Sequence, residues 1–101
     1  MSSSLNGKSI LLVTWHPVAS VKRRLEHLGA KVEVIDAKST KQNKIDKKLS
    51  LVKYDLKFVF LRGVHHATFK TAVRLHDNGD DSIKTMENSG VNGVIECALT
   101  S

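Results

Sequence analysis

Two strand-length apolar runs constrain this chain most: Lys8–Thr14, KSILLVT, and Leu56–Leu61, LKFVFL. Neither shows the clean polar alternation of a strand with one wet face. Runs of this kind suit strands buried on both sides, as in a parallel sheet covered by helices. Between and after them, segments with other periods take turns. Val18, Val21, Leu25 and Leu28 recur at helical spacing, with Lys22, Arg23, Arg24 and Glu26 on the outer face and Gly29 as the stop. Pro17 fits the first helical position. Lys31–Ile35, KVEVI, alternates and is β-branched, which marks a second strand.

The next stretch, Asp36–Asn43, is polar and aperiodic and reads as a loop. Ile45, Leu49 and Val52 give a short basic helix over Ile45–Val52. After Leu56–Leu61, Arg62–Val64 forms a turn. A helix then runs from His65 or Ala67 to Asp77, with Phe69, Ala72, Val73 and His76 on its inward stripe. Asn78-Gly79-Asp80-Asp81 stops it. Ser82–Met86 is a short fourth strand, Glu87–Gly90 a turn, and Val91–Leu99 a last helix with Val91, Val94, Ile95, Ala98 and Leu99 inward.

Strand and helix therefore alternate four times. Such alternation predicts an α/β domain in three layers, with a four-stranded parallel sheet and helices on both faces, since each crossover is right-handed. The two apolar strands belong at the centre, which gives the spatial order 2-1-3-4 of a small flavodoxin-like or Rossmann-like domain. With 101 residues and 41% apolar content, the chain has room for one domain and one modest core, with residues 1–7 as a frayed polar leader.

Composition narrows the setting. A single cysteine, Cys97, excludes an internal disulfide and fits a reducing, cytoplasmic location. No signal peptide and no membrane-length apolar run is present. The net charge of +6 is uneven: residues 1–57 hold 12 Lys/Arg against 5 Asp/Glu, and residues 58–101 hold 4 against 5. A basic half of this kind is either an electrostatic footprint for nucleic acid or a solvated lysine face. The wide spacing of the lysines, with no aromatic platform among them, favours the solvated face.

Ligands of open α/β sheets bind outside the carboxyl ends of the strands, where the strand order reverses. Here that point lies between strands 1 and 3 and selects three loops: Thr14–Pro17, Arg62–His66 and Glu87–Asn92. The candidate ligand-binding residues are His16, His66, Ser89, Trp15, Arg62 and Asn92. His65 and His66 are adjacent and cannot both face one point, and His66 is taken as the inward one. Helix N-termini converging there favour an anion. Each residue also has a plainer reading: His16 as filler before Pro17, Ser89 as a helix cap, Trp15 as packing. No metal site is expected, because His16 and one further histidine fall short of three ligands. No P-loop, GxGxxG or GxSxG occurs, so no catalytic residue is assigned and no cofactor is identified.

The loop motifs Thr14-Trp15-His16, Arg23-Arg24, Val64-His65-His66 and Asn88-Ser89-Gly90-Val91-Asn92, with KQNKI over Lys41–Ile45, resemble those of the bacterial domain-of-unknown-function family DUF2325. The resemblance spans Lys8 to Leu99. It implies a short Rossmann-like domain, and by position it carries over His16, His66 and Ser89. Thr14 and Trp15 stand where that family has two glycines, and His65 where it has a serine.

The expected function is a non-enzymatic binding module for an anionic ligand, a nucleotide or nucleic acid. One alternative is a phosphocarrier-type enzyme domain with His16 as phosphate acceptor. Another is a homodimer or larger protein-interaction module paired through the edge strand Lys31–Ile35.

Overall fold

The structure is a computed structural model that describes residues 5–15, 18–51, 53–60, 64, 66–86 and 91–100. Four strands, Ser9–Thr14 (β1), Lys31–Asp36 (β2), Leu56–Phe60 (β3) and Ile83–Met86 (β4), alternate with four helices: Ala19–His27 (α1), Gln42–Leu49 (α2), His66–Asp77 (α3) and Val91–Thr100 (α4). Every strand pair is parallel and the order is β2-β1-β3-β4, as the alternation predicts.

Side chains of a strand point alternately to its two faces, and this divides the core. Ile10, Leu12, Leu56, Phe58 and Phe60 pack with Val21 and Leu25 of α1 and with Val94 and Ala98 of α4. Leu11, Val13 and Val59 pack on the other face with Ile45 and Leu49 of α2 and Ala72 of α3. Handedness explains the division. The first crossover steps from β1 outward to β2, and the next two step back across the sheet. Right-handed connections then put α1 on one face and α2 and α3 on the other. β1 and β3 are paired on both edges and covered on both faces, which is why their sequences are nearly all apolar.

Several elements differ in detail from their expected form. α2 begins at Gln42, inside the expected loop, and Gln42 Nε2 donates to Asp46 Oδ1 one turn on (2.8 Å). The inward side of α3 is Thr68 and Ala72, with Phe69 and Leu75 half-buried, while Val73 and His76 face solvent. The helix is turned this way because Thr68 bonds across to Gln42. On α4, Val94, Ile95 and Ala98 are buried but Leu99 is exposed. The leader is anchored at its far end: Leu5 is buried, and its N–H donates to Leu28 O (2.9 Å). Residues 1–4, Pro17, Val52, Leu61 of the expected third strand, Arg62 and Gly63 of the expected Arg62–Val64 turn, residues 87–90 of the expected last turn and the Val91 side chain lie outside the described residues. No described helix is long and apolar enough to cross a membrane.

Gly29 closes α1 where only glycine fits. Its φ is +102°, its N–H donates to Glu26 O, and a Cβ there would stand 1.9 Å from Asn6 Oδ1. Replacing a glycine that needs positive φ costs more than about 1 kcal/mol. Gly29→Ala is therefore expected to lower Tm by several degrees. An unchanged Tm in a thermal melt would contradict this end to the helix.

Candidate functional site

Because each strand is parallel and leads into a helix, all four helix N-termini lie along the carboxyl edge of the sheet. Helix N-termini expose unpaired N–H groups and a partial positive charge. None of the four helices has Asp or Glu in its first turn to offset that charge. Val18 and Lys41, at the N-caps of α1 and α2, supply no side-chain cap bond.

Three of the six candidate residues are described, and all three lie at this edge. Trp15 follows β1 directly and is 37% exposed. His66 is the first residue of α3 and Asn92 the second of α4, and both are exposed. His16, Arg62 and Ser89 lie outside the described residues, as does His65. The meeting of His16 with His66, on which the expected site was centred, therefore falls outside them too.

A cleft of about 410 Å³ opens at the same edge, one strand to the side of the switch point. It lies between the ends of β1 and β2 on the α1 face and is lined by Thr14, Trp15, Val18, Ala19, Lys22, Val34 and Asp36. The parallel register sets Thr14 beside Asp36, and Ala37 N donates back to Thr14 O (3.2 Å). Asp36 Oδ1 accepts the Lys38 N–H (2.9 Å), which holds its carboxylate in a tight turn. That backbone bond, followed by the Ser39 hydroxyl, keeps the Asp36 carboxyl below its ordinary range. At the α1 wall, Lys22 Nζ is paired with Glu26 Oε2 (2.9 Å).

A second polar device ties the two helices of the opposite face. Thr68 Oγ1, fully buried, donates to Gln42 Oε1 (2.6 Å), and Gln42 passes the chain on to Asp46. It links the first turn of α3 to the first residue of α2, so these two N-termini are held at a set spacing.

The amino edge of the sheet has a different character. Lys57, 1% exposed in the central strand, pairs with Asp80 (3.4 Å). Asp80 also accepts the N–H and hydroxyl of Ser82. Glu33 pairs with Lys48 (2.8 Å), a bond that lowers the Glu33 carboxyl and raises the Lys48 ammonium. The Tyr54 hydroxyl lies buried beside that pair without a hydrogen bond of normal geometry. Burial first, and the Glu33 carboxylate second, push its pKa up. A cleft of about 250 Å³ lies here, lined by Ser9, Lys31, Val32, Glu33, Lys53 and Tyr54. Lys53 covers the Tyr54 ring at 5.0 Å, and Asp55 takes the Ser9 N–H (2.8 Å). These groups are engaged with one another, and the helices present their C-terminal, partly negative ends at this edge.

Reading the chain alone missed Asp36, Val34 and Lys22 as cleft residues, and Gln42 and Thr68 as partners. The one legible signal was an acid at the end of KVEVID, which falls beside Thr14 once the strands pair. Among the described residues no group of three His, Cys, Asp or Glu side chains is placed to hold a metal ion. No protein-family model matches the chain, and no curated protein is significantly similar to it.

Proposed function

We propose that this chain is a non-enzymatic binding module for an anionic small ligand of the nucleotide class, taken up at the carboxyl edge of the sheet. The observation that carries this reading is a row of four helix N-termini, none offset by a first-turn acid, beside an open cleft. Exposed His66 and Asn92 on α3 and α4 add hydrogen-bonding groups to the same edge. His16, Arg62 and Ser89 belong to the same proposal by their place in the chain. A small ligand is favoured over a nucleic-acid track because the lysines of the basic half are dispersed. Lys22, Lys48 and Lys57 are each paired with a carboxylate, and Lys57 is buried. We also propose kinship with DUF2325 and a cytoplasmic setting, on the loop motifs and the single cysteine.

Calorimetric titration with AMP, and separately with a short single-stranded oligonucleotide, tests the reading. It is run at ionic strengths of about 0.01 M and about 0.15 M, between which the screening length falls from roughly 30 to 8 Å. AMP is expected to bind at both, more weakly at the higher. Absence of AMP binding at low salt would overturn the reading. Oligonucleotide binding without AMP binding would replace it with a nucleic-acid surface.

A further inference from the structure

We infer that the free edge of β2 receives an extended segment of a partner protein, acidic and apolar by turns, as a fifth strand of the sheet.

β2 stands at the end of the strand order and is paired on one side only, with β1. Successive residues of a strand in a parallel ladder send their N–H and C=O groups to opposite sides. Lys31 N donates to Lys8 O and Ala37 N to Thr14 O, so the odd-numbered residues face β1. The N–H and C=O groups of Val32 and Val34 and the N–H of Asp36 therefore point outward, while the Asp36 carbonyl accepts the Thr40 N–H. The register with β1 runs unbroken from Lys31 to Asp36, with no bulge and no proline. A row of outward groups of this kind is a template for another strand. Space is open beside it. Glu33, Val34, Ile35 and Asp36 line one hollow of about 210 Å³ together with Lys44 and Lys48. Consecutive strand residues point to opposite faces, so all four border one space only along the edge of the strand.

The two faces of this edge differ, and the difference sets the chemistry of the partner. On the α1 face Val34 is 38% exposed and Val32 is half-buried. On the α2 face Glu33 is neutralised by Lys48. Lys44 shares the same hollow, is exposed, and has no ion-pair partner among the described residues. Lys31, two residues before Glu33 on that face, is exposed as well. An incoming strand also directs its side chains alternately to the two faces. Its acidic residues would then meet Lys31 and Lys44, and its apolar residues would cover Val34. Asp36, the one acid on the α1 face of the strand, is held by its turn bond to Lys38. A second copy of this chain fits the edge less well. Antiparallel pairing of two β2 strands about a two-fold axis keeps like faces together. The α2 lysines of two chains, each of net charge +6, would share one face.

The test uses a capped peptide of alternating glutamate and valine as the probe. Its controls are an alternating lysine–valine peptide and a peptide of the same glutamate and valine content arranged in two blocks. Binding is followed by calorimetry, and amide hydrogen exchange locates it. The alternating acidic peptide is expected to bind and to slow exchange at Val32 and Val34, leaving Glu33 and Ile35, already bonded to β1, unchanged. Its affinity should fall as ionic strength rises from about 0.01 M to about 0.15 M. Val34→Pro keeps the ladder to β1, because the lost N–H points outward, and should abolish binding. Lys44→Glu leaves the edge backbone intact and should weaken binding about fivefold or more at low salt. It decides the matter if Val34→Pro fails to fold. No binding of the acidic peptide at low salt would overturn the inference. Equal binding of the lysine–valine peptide would overturn its charge, and equal binding of the block peptide would overturn strand addition. Self-association of the native chain that Val34→Pro abolishes would overturn the acidic partner in favour of a second copy.

Discussion

Replacing Phe58 with alanine is expected to destabilise the fold by about 4 kcal/mol, the middle of the range for a buried phenylalanine. Phe58 has no solvent exposure. It sits in the central strand with Leu12 beside it on β1 and Lys84 on β4, and its ring stacks on Phe60 at 6.5 Å. The side chain points into the core shared by α1 and α4. Neighbours on both strands fix the backbone, so the site has little freedom to collapse around the space left behind. A domain of this size is stable by about 5 to 15 kcal/mol, so the loss is a large share of the total. Urea denaturation reads it directly. Val73→Ala, on the exposed side of α3, serves as the contrast and should stay within about 0.5 kcal/mol. Equal effects at the two positions would contradict the assignment of the core.

The second large effect belongs to Asp80. Asp80→Ala should cost about 3 kcal/mol, because it leaves the Lys57 ammonium buried without its partner. The figure is at the low end for a broken buried pair, since the Asp80 side chain keeps 30% of its surface. Adding Lys57→Met removes the stranded charge and should restore most of the loss. Failure of that second change to help would mean that Asp80 acts only through its bonds to Ser82. Acid behaviour gives an independent reading. Burial pushes the Asp80 carboxyl up, but the Ser82 donors and Lys57 outweigh it, and the folded value lies below the ordinary one. The unfolded chain therefore holds this proton more tightly. The contribution of Asp80 is complete above a pH of about 4 and is lost as pH falls through the folded pKa. In the Asp80→Ala variant, stability should fall less steeply with acid over that window.

Lys57 also shows where a sequence-only reading stops. Its neighbours Leu56 and Phe58–Phe60 mark the strand as central, and that inference is correct. A lysine among them counts as surface charge until the Asp80 turn is seen to come back across the strand end. The pairing of positions 57 and 80 is a tertiary fact with no local signature. Thr68 is similar. Hydrophobic spacing alone put Phe69, Ala72, Val73 and His76 inward on α3; Ala72 is buried and Phe69 half-buried as that spacing predicts, but Val73 and His76 face solvent, and the buried Thr68 hydroxyl, bonded to Gln42, takes the inward position instead. The strand order was legible because β1 and β3 carry so little polar side chain that neither could lie at an edge.

The candidate site was legible to the level of an edge and no further. Topology placed Trp15, His66 and Asn92 together on the carboxyl side, since parallel strands leave every following helix starting there. The cleft itself depends on the β1–β2 register and on Val34, which reads in sequence as an ordinary strand residue. Asp36 read as the first loop residue because strand alternation in KVEVI stops before it, whereas pairing with Thr14 extends β2 by that one residue.

Amide chemical-shift mapping with AMP at low salt tests the central claim most directly. The amides of Trp15, Val34, Asp36 and Lys38, with those at the starts of α1 and α3, should shift together along the carboxyl edge. Shifts confined to Ser9, Lys31, Lys53 and Tyr54 at the amino edge, or no shifts at all, would contradict it.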